Sequence, residues 1–120
     1  MNKIDISNNY IKVCLDIFAY RENRVQMMYS PALDLCGYGY TADEAKKSFE
    51  TTVTEYLRYA LENNTLHEDL NAHGWVKTTK EKEFMSPDII KLMRSNKQLQ
   101  SVMRNNYRKV SRRISVPVAN

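Results

Sequence analysis

The chain has 120 residues, a mass of 14.1 kDa and a formal charge of +4 at pH 7, which suits one domain with a single modest core. Hydrophobic residues at 42% and charged residues at 27% are ordinary for a globular protein, and no apolar run approaches the roughly 20 residues that span a bilayer. Residues 1–9 lack the apolar core of a secretory signal peptide, so the expected compartment is the cytoplasm, with no membrane partner.

From Ile11 to Tyr20 the chain alternates with period two. Ile11, Val13, Leu15, Ile17 and Ala19 share one face, and Lys12, Cys14, Asp16, Phe18 and Tyr20 the other, which predicts a strand with a core face and a mixed face. The polar stretch 21–24 reads as a hairpin connection into a returning strand, Val25–Tyr29. Pro31 cannot donate to a ladder and closes that strand, and a third strand follows over roughly Leu35–Tyr40. Within it, Gly37 and Gly39 mark a bulge, a bend or a close backbone approach. Three short strands with short links predict an antiparallel meander.

Thr41 and Glu44 have the spacing of a capping box, and the period then changes to 3.6. Ala45, Phe49, Val53, Tyr56, Leu57, Ala60 and Leu61 form one stripe of a helix running from Ala42 to about Asn63. Neither this helix nor the meander can bury its apolar side alone, so the helix must cover one sheet face. Leu66–Leu70 predicts a short helical turn, Gly74 a turn, and Trp75 an anchor at the core edge. The run 77–83 carries mixed charge and reads as a solvated linker.

Ser86 reads as a helix cap with Pro87 in the first turn, opening two short helices or one helix broken after Asn96. Ile114, Val116 and Val118 alternate as a terminal strand that Pro117 confines to an edge or an end. The fold class expected is therefore α+β. A three-stranded antiparallel meander plus a C-terminal strand packs on one long helix, with short extra helices in the C-terminal third. Residues 1–76 form the β-β-β-α module, and residues 77–120 a basic extension packed on the same domain.

The charge is uneven. Residues 1–86 hold 10 Lys and Arg against 13 Asp and Glu, a balance of −3, whereas residues 87–120 hold 8 Lys and Arg against Asp88, a balance of +7. Arg104, Arg108, Lys109, Arg112 and Arg113 cluster with Tyr107, as a nucleic-acid contact would require. Such a basic run also serves as a gatekeeper that keeps a terminal edge from aggregating.

Nothing in the sequence spells an active site or a cofactor. His67 and His73 lie six apart without a completing ligand, and neither Cys14 nor Cys36 sits beside a histidine or in a C-x-x-C pair. Asp5, Asp16 and Asp34 make no complete metal constellation and read as exposed strand carboxylates. No glycine-rich phosphate loop precedes a helix. Expected catalytic, metal and cofactor sites are none. Exposed tyrosine favours recognition, and Tyr29, Tyr38 and Tyr40 lie on or beside the sheet.

The ordered set Pro31, Leu33, Cys36, Gly39, Thr41, Glu44 and Ala45, after two strands and before one helix, resembles the HicB antitoxin family over roughly residues 11–61. The resemblance implies a truncated ribonuclease-H-like sheet without ribonuclease activity. Such a protein binds and blocks a small mRNA-cleaving toxin, as a dimer or higher oligomer. Docking is expected near the 21–24 turn and the 31–38 loop, with Tyr29, Asp34 and Tyr38 as partner-binding residues. The chain departs from the pattern at Asp34 and Leu35, where a proline–glycine pair is usual, and in its basic character. Its C-terminal third matches neither the helix-turn-helix nor the ribbon-helix-helix module that many family members carry. The alternative expectation is a DNA- or RNA-binding regulator acting through Arg104, Arg108, Lys109, Arg112 and Arg113.

Overall fold

Period-two alternation makes Tyr10–Glu22 a 13-residue strand, β2, and the rest of the molecule is organised around its two edges and two faces. The computed structural model describes residues 2–80 and 82–118. Those residues form seven strands and four helices in an α+β fold whose strands share one antiparallel sheet.

One edge of β2 is taken along almost its whole length by β7 (Tyr107–Pro117), from Tyr10 opposite Pro117 to Tyr20 opposite Tyr107. A strand has only two edges, so the other is divided. β1 (Lys3–Ile6) pairs with Ile11–Cys14, and β3 (Val25–Ser30) pairs with Phe18–Glu22. Beyond β3 lies β4 (Leu35–Gly39); beyond β1 lie β6 (Glu83–Met85) and then β5 (Val76–Lys77). The β2–β3 connection is the two-residue turn Asn23-Arg24, at φ 49° and 70°. Two successive left-handed residues are the signature of the type I′ turn, whose twist matches the flanking strands.

Helix α1 (Ala42–Glu62) covers the odd-numbered face of β2. Thr41 caps it: its Oγ1 accepts from Glu44 N–H at 3.1 Å. Ala45, Phe49, Val53, Leu57 and Ala60 are buried against Ile11, Val13, Leu15 and Ile17, as the 3.6 period predicts. Phe49, Val53 and Leu57 are fully buried, each contributing about 1.5–3 kcal/mol of apolar transfer. Helix α2 (Leu66–Ala72) closes one end of this layer, and Gly74, at φ 83°, turns the chain so that Trp75 enters the core. Trp75 is buried within the core, not at its edge, and its indole N–H donates to the Ala32 carbonyl at 2.8 Å.

Helices α3 (Ile89–Ser95) and α4 (Lys97–Met103) lie on the opposite face, where Phe18, Tyr29, Leu99 and Val102 form a second, smaller core. The sheet is therefore covered on both faces around Phe18 and Tyr29, which period two in β2 does not by itself require.

Several expectations are corrected. The sheet is larger than a three- or four-stranded one, because residues 3–6 add β1 and both ends of the presumed 77–83 linker are strand. Glu83 in particular is buried, its carboxylate accepting from Thr78 Oγ1 at 2.8 Å and pairing with Lys3 at 3.1 Å. The cap of α3 is Asp88, not Ser86, whose hydroxyl instead donates to the Pro87 carbonyl at 3.1 Å. Asp16 is buried and engaged rather than exposed, accepting from Ser111 Oγ at 3.2 Å.

Candidate protein-binding site

The loop between β3 and β4 is built from beneath. Ala32 and Leu33 are buried under Trp75, and Ser30 Oγ accepts from Leu33 N–H at 3.4 Å. The chain then turns at Asp34, which holds the left-handed φ of 56°, a conformation that aspartate tolerates better than most residues. Tyr29 is only 1% exposed, and its hydroxyl donates to Asp34 Oδ1 at 2.7 Å while accepting from Asn96 Nδ2 at 2.8 Å. Burial pushes the Tyr29 hydroxyl up, the Asn96 bond draws it back, and the Asp34 carboxylate raises it again. The phenol therefore stays a neutral donor, clipping the loop to the cap of α4.

Of the three residues expected to bind a partner, Tyr29 thus lies in the core and supports the site from inside. Asp34 and Tyr38 reach the surface, Tyr38 being 65% exposed, with Tyr40 at 78% beside it. Asp34 also stands at the rim of a groove of about 840 Å³ between the loop, the His73–Gly74 turn and α3, where Lys91 and Lys97 supply cations. Asn96 was legible in the sequence only as a helix break. It does two jobs, because its Oδ1 also accepts from Leu99 N–H at 3.0 Å as the cap of α4.

Tyr38 is positioned by two glycines and a serine. A Cβ at Gly37 would lie 2.3 Å from the Phe49 nitrogen, and one at Gly39 would lie 2.8 Å from the Ala45 nitrogen. Only glycine lets β4 approach the helix backbone so closely. On the outer side of β4, Tyr38 N–H donates to Ser48 Oγ of α1 at 3.2 Å, which occupies a donor that an edge strand would otherwise present.

The C-terminal cations do not gather on one surface. In β7, Arg108 and Arg112 share the face of α1, while Lys109 and Arg113 share the opposite face. Arg112 donates to Glu50 Oε1 at 2.8 Å, and Lys109 lies 3.9 Å from Asp16 Oδ2. Arg104 is set apart at the end of α4. A duplex backbone would meet these charges two at a time.

The thiols and imidazoles are dispersed. Cys36 sits half-buried below α4, where burial first and the Glu22 carboxylate second push its thiol up, away from the reactive thiolate. Cys14 lies half-buried on the open end of the sheet between Lys3 and Arg113 in the cross-strand register. His67 stands edge-on to Phe84, and His73 Nδ1 lies 2.8 Å from the Asp69 carbonyl oxygen. Among the described residues, no helix is long and apolar enough to cross a membrane.

These features define an antiparallel α+β protein with a clipped surface loop and no assembled set of reactive side chains among the described residues. Comparison with protein-family models, curated proteins and solved structures finds no match to this chain.

Proposed function

We propose that this chain is a non-enzymatic, cytoplasmic binding protein of HicB-like type, an antitoxin that binds and blocks a small mRNA-cleaving toxin. The observation that carries this reading is the seat of α1 on β4. Gly37, Gly39, Thr41, Glu44 and Ala45 act as one structural unit there, with helix backbone touching strand backbone. Five of the residues that suggest the resemblance, or lie within it, therefore do connected work. Beside that unit, Asp34, Tyr38 and Tyr40 are presented on a loop and strand fixed from below. A rigid scaffold carrying exposed aromatic and acidic groups on a short connection suits protein recognition.

Co-expression with the small protein encoded beside its gene tests this. The expected result is co-purification and rescue of cells from that protein's toxicity. Tyr38→Ala should weaken the complex by roughly tenfold or more, the scale of an aromatic anchor, and leave the thermal melt unchanged. Absence of a complex and of rescue would refute the reading.

A further inference from the structure

The sheet ends in three edge strands, β4, β7 and the two-residue β5, and the two longer ones are finished differently. β4 has its outward Tyr38 N–H taken by Ser48. β7, 11 residues long, pairs with β2 on one side, and among the described residues no strand or helix pairs with its other side. Which of its amides face outward follows from the ladder. Val118 N–H donates to the Asn9 carbonyl at 2.9 Å, and the β2–β7 register continues without a bulge from Pro117 to Tyr107. Antiparallel hydrogen bonding alternates, so Val116, Ile114, Arg112, Val110 and Arg108 bond to β2. Tyr107, Lys109, Ser111, Arg113 and Ser115 then direct both N–H and C=O away from the sheet. Pro117, which has no N–H to offer, falls on the outward set, where proline is tolerated.

The period-two split of the cations now has a meaning. Arg108 and Arg112 flank the bare edge on one face and Lys109 and Arg113 flank it on the other, and β7 contains no carboxylate. We propose that this edge binds an extended acidic segment of a partner protein, which adds to the sheet as a further strand. Main-chain bonds to the outward groups of Lys109, Ser111, Arg113 and Ser115 supply the affinity. The cations at 108/109 and 112/113 fall as adjacent pairs, one on each face, so they select adjacent pairs of Asp or Glu; Arg108 and Arg113 carry this selection, since Arg112 already meets Glu50 and Lys109 lies near Asp16. A second copy is the poorer occupant by charge. Pairing β7 over its full length with its own copy would set Arg112 opposite Arg112 and add four more cations to the same seam. A nucleic-acid phosphate backbone offers acceptors for the outward N–H groups but no matching row of donors for the outward carbonyls, so it satisfies only half of this edge. This inference rests on the reading of the chain as a binding protein but not on the identity of a toxin.

The test uses the full chain and a fluorescein-labelled peptide of about ten residues repeating Glu-Glu-Val-Val, which places carboxylates on both faces and is long enough to match the edge. Binding is read by anisotropy, beside the Lys–Val counterpart, oligothymidylate and light scattering of the protein alone. The acidic peptide should bind, the lysine peptide should not, and affinity should fall roughly tenfold as salt is raised from low to physiological strength. Ser115→Pro removes one outward donor and no bond to β2, and should abolish binding with Trp75 fluorescence unchanged. Arg108→Glu with Arg113→Glu should transfer preference to the lysine peptide. The inference is overturned if the acidic peptide fails to bind the wild type, or if Ser115→Pro binds as well as the wild type. It is equally overturned if oligothymidylate binds more tightly than the peptide, or if the chain is a dimer that Ser115→Pro dissociates. Peptide binding without toxin rescue would retain the edge and dismiss the antitoxin role; rescue without peptide binding would do the reverse.

Discussion

Replacing Gly37 with alanine tests the central packing of the molecule. The new methyl would stand 2.3 Å from the Phe49 nitrogen, 2.5 Å from its Cα and 2.6 Å from its Cβ, against 3.4 Å or more for ordinary contact. The nearest atoms are helix backbone, so no rotamer change relieves the overlap, and trimming Phe49 would not help. The helix must instead retreat by roughly 1 Å, a displacement that forfeits a quarter to a half of each contact it loosens. Ala45, Phe49, Val53 and Leu57 all lie on the side that would open. Overpacking alone costs about 1–3 kcal/mol, and the loosened contacts bring the expected loss to about 3–4 kcal/mol, a large share of a typical domain's stability. Trp75 is the only tryptophan and is buried, so its fluorescence reports unfolding in urea. With a slope near 1.5 kcal/mol per molar, the midpoint should fall by about 2–2.7 M. A fall below about 0.3 M would show that α1 does not rest on β4, and the account of the fold would fail with it.

Two tyrosines should respond oppositely to loss of the hydroxyl. Tyr29→Phe strands Asn96 Nδ2 and unclips Asp34, and should cost about 1–2 kcal/mol by urea unfolding. The Tyr56 hydroxyl is buried without a hydrogen-bond partner among the described residues, and burial pushes it up to about 12, so Tyr56→Phe should be neutral or stabilising in the same assay. The Thr78 hydroxyl and the Lys3 ammonium hold the Glu83 carboxyl below its usual value, while Glu83 and Asp5 hold Lys3 above its own. A depressed carboxyl stabilises above its unfolded pKa of 4.5, and a raised ammonium stabilises below its unfolded pKa of 10.5. The stability gap between wild type and Glu83→Gln should therefore be widest between those values and shrink as the pH falls below 4.5, measured as urea midpoint against pH. Arg24, at φ 70° in the type I′ turn, should gain up to about 1 kcal/mol when changed to glycine, read as a higher melting temperature.

The parts legible in the sequence were those with many residues in phase. Five buried positions of α1 repeat at helical spacing, and β2 alternates over its whole apolar length, so noise at one site does not hide the pattern. The missed elements are short. β1 has four residues, β6 three and β5 two, and their identity depends on pairing with partners up to some 80 positions away, which no local window contains. Glu83 looked like a solvated charge because the groups that satisfy it, Thr78 and Lys3, come together only when β6 lies beside β1. Tyr29 misled for a similar reason. Its position in the strand was clear, but α4 covers that face from 70 residues downstream, converting a surface aromatic into a buried clip.

The basic C-terminus shows how one composition can serve two requirements. Counted along the sequence, Arg108, Lys109, Arg112 and Arg113 look like a phosphate-binding cluster. Folded as a strand, they divide between two faces, and what they share is a boundary with the unpaired edge. Cations at that boundary oppose full-length pairing with an identical strand, which would set Arg112 opposite Arg112. The repulsion vanishes for a strand that carries carboxylates on both faces. Protection from self-aggregation and selection of an acidic segment are thus the same electrostatic property measured with two different occupants, and substituting the cations should relax both together.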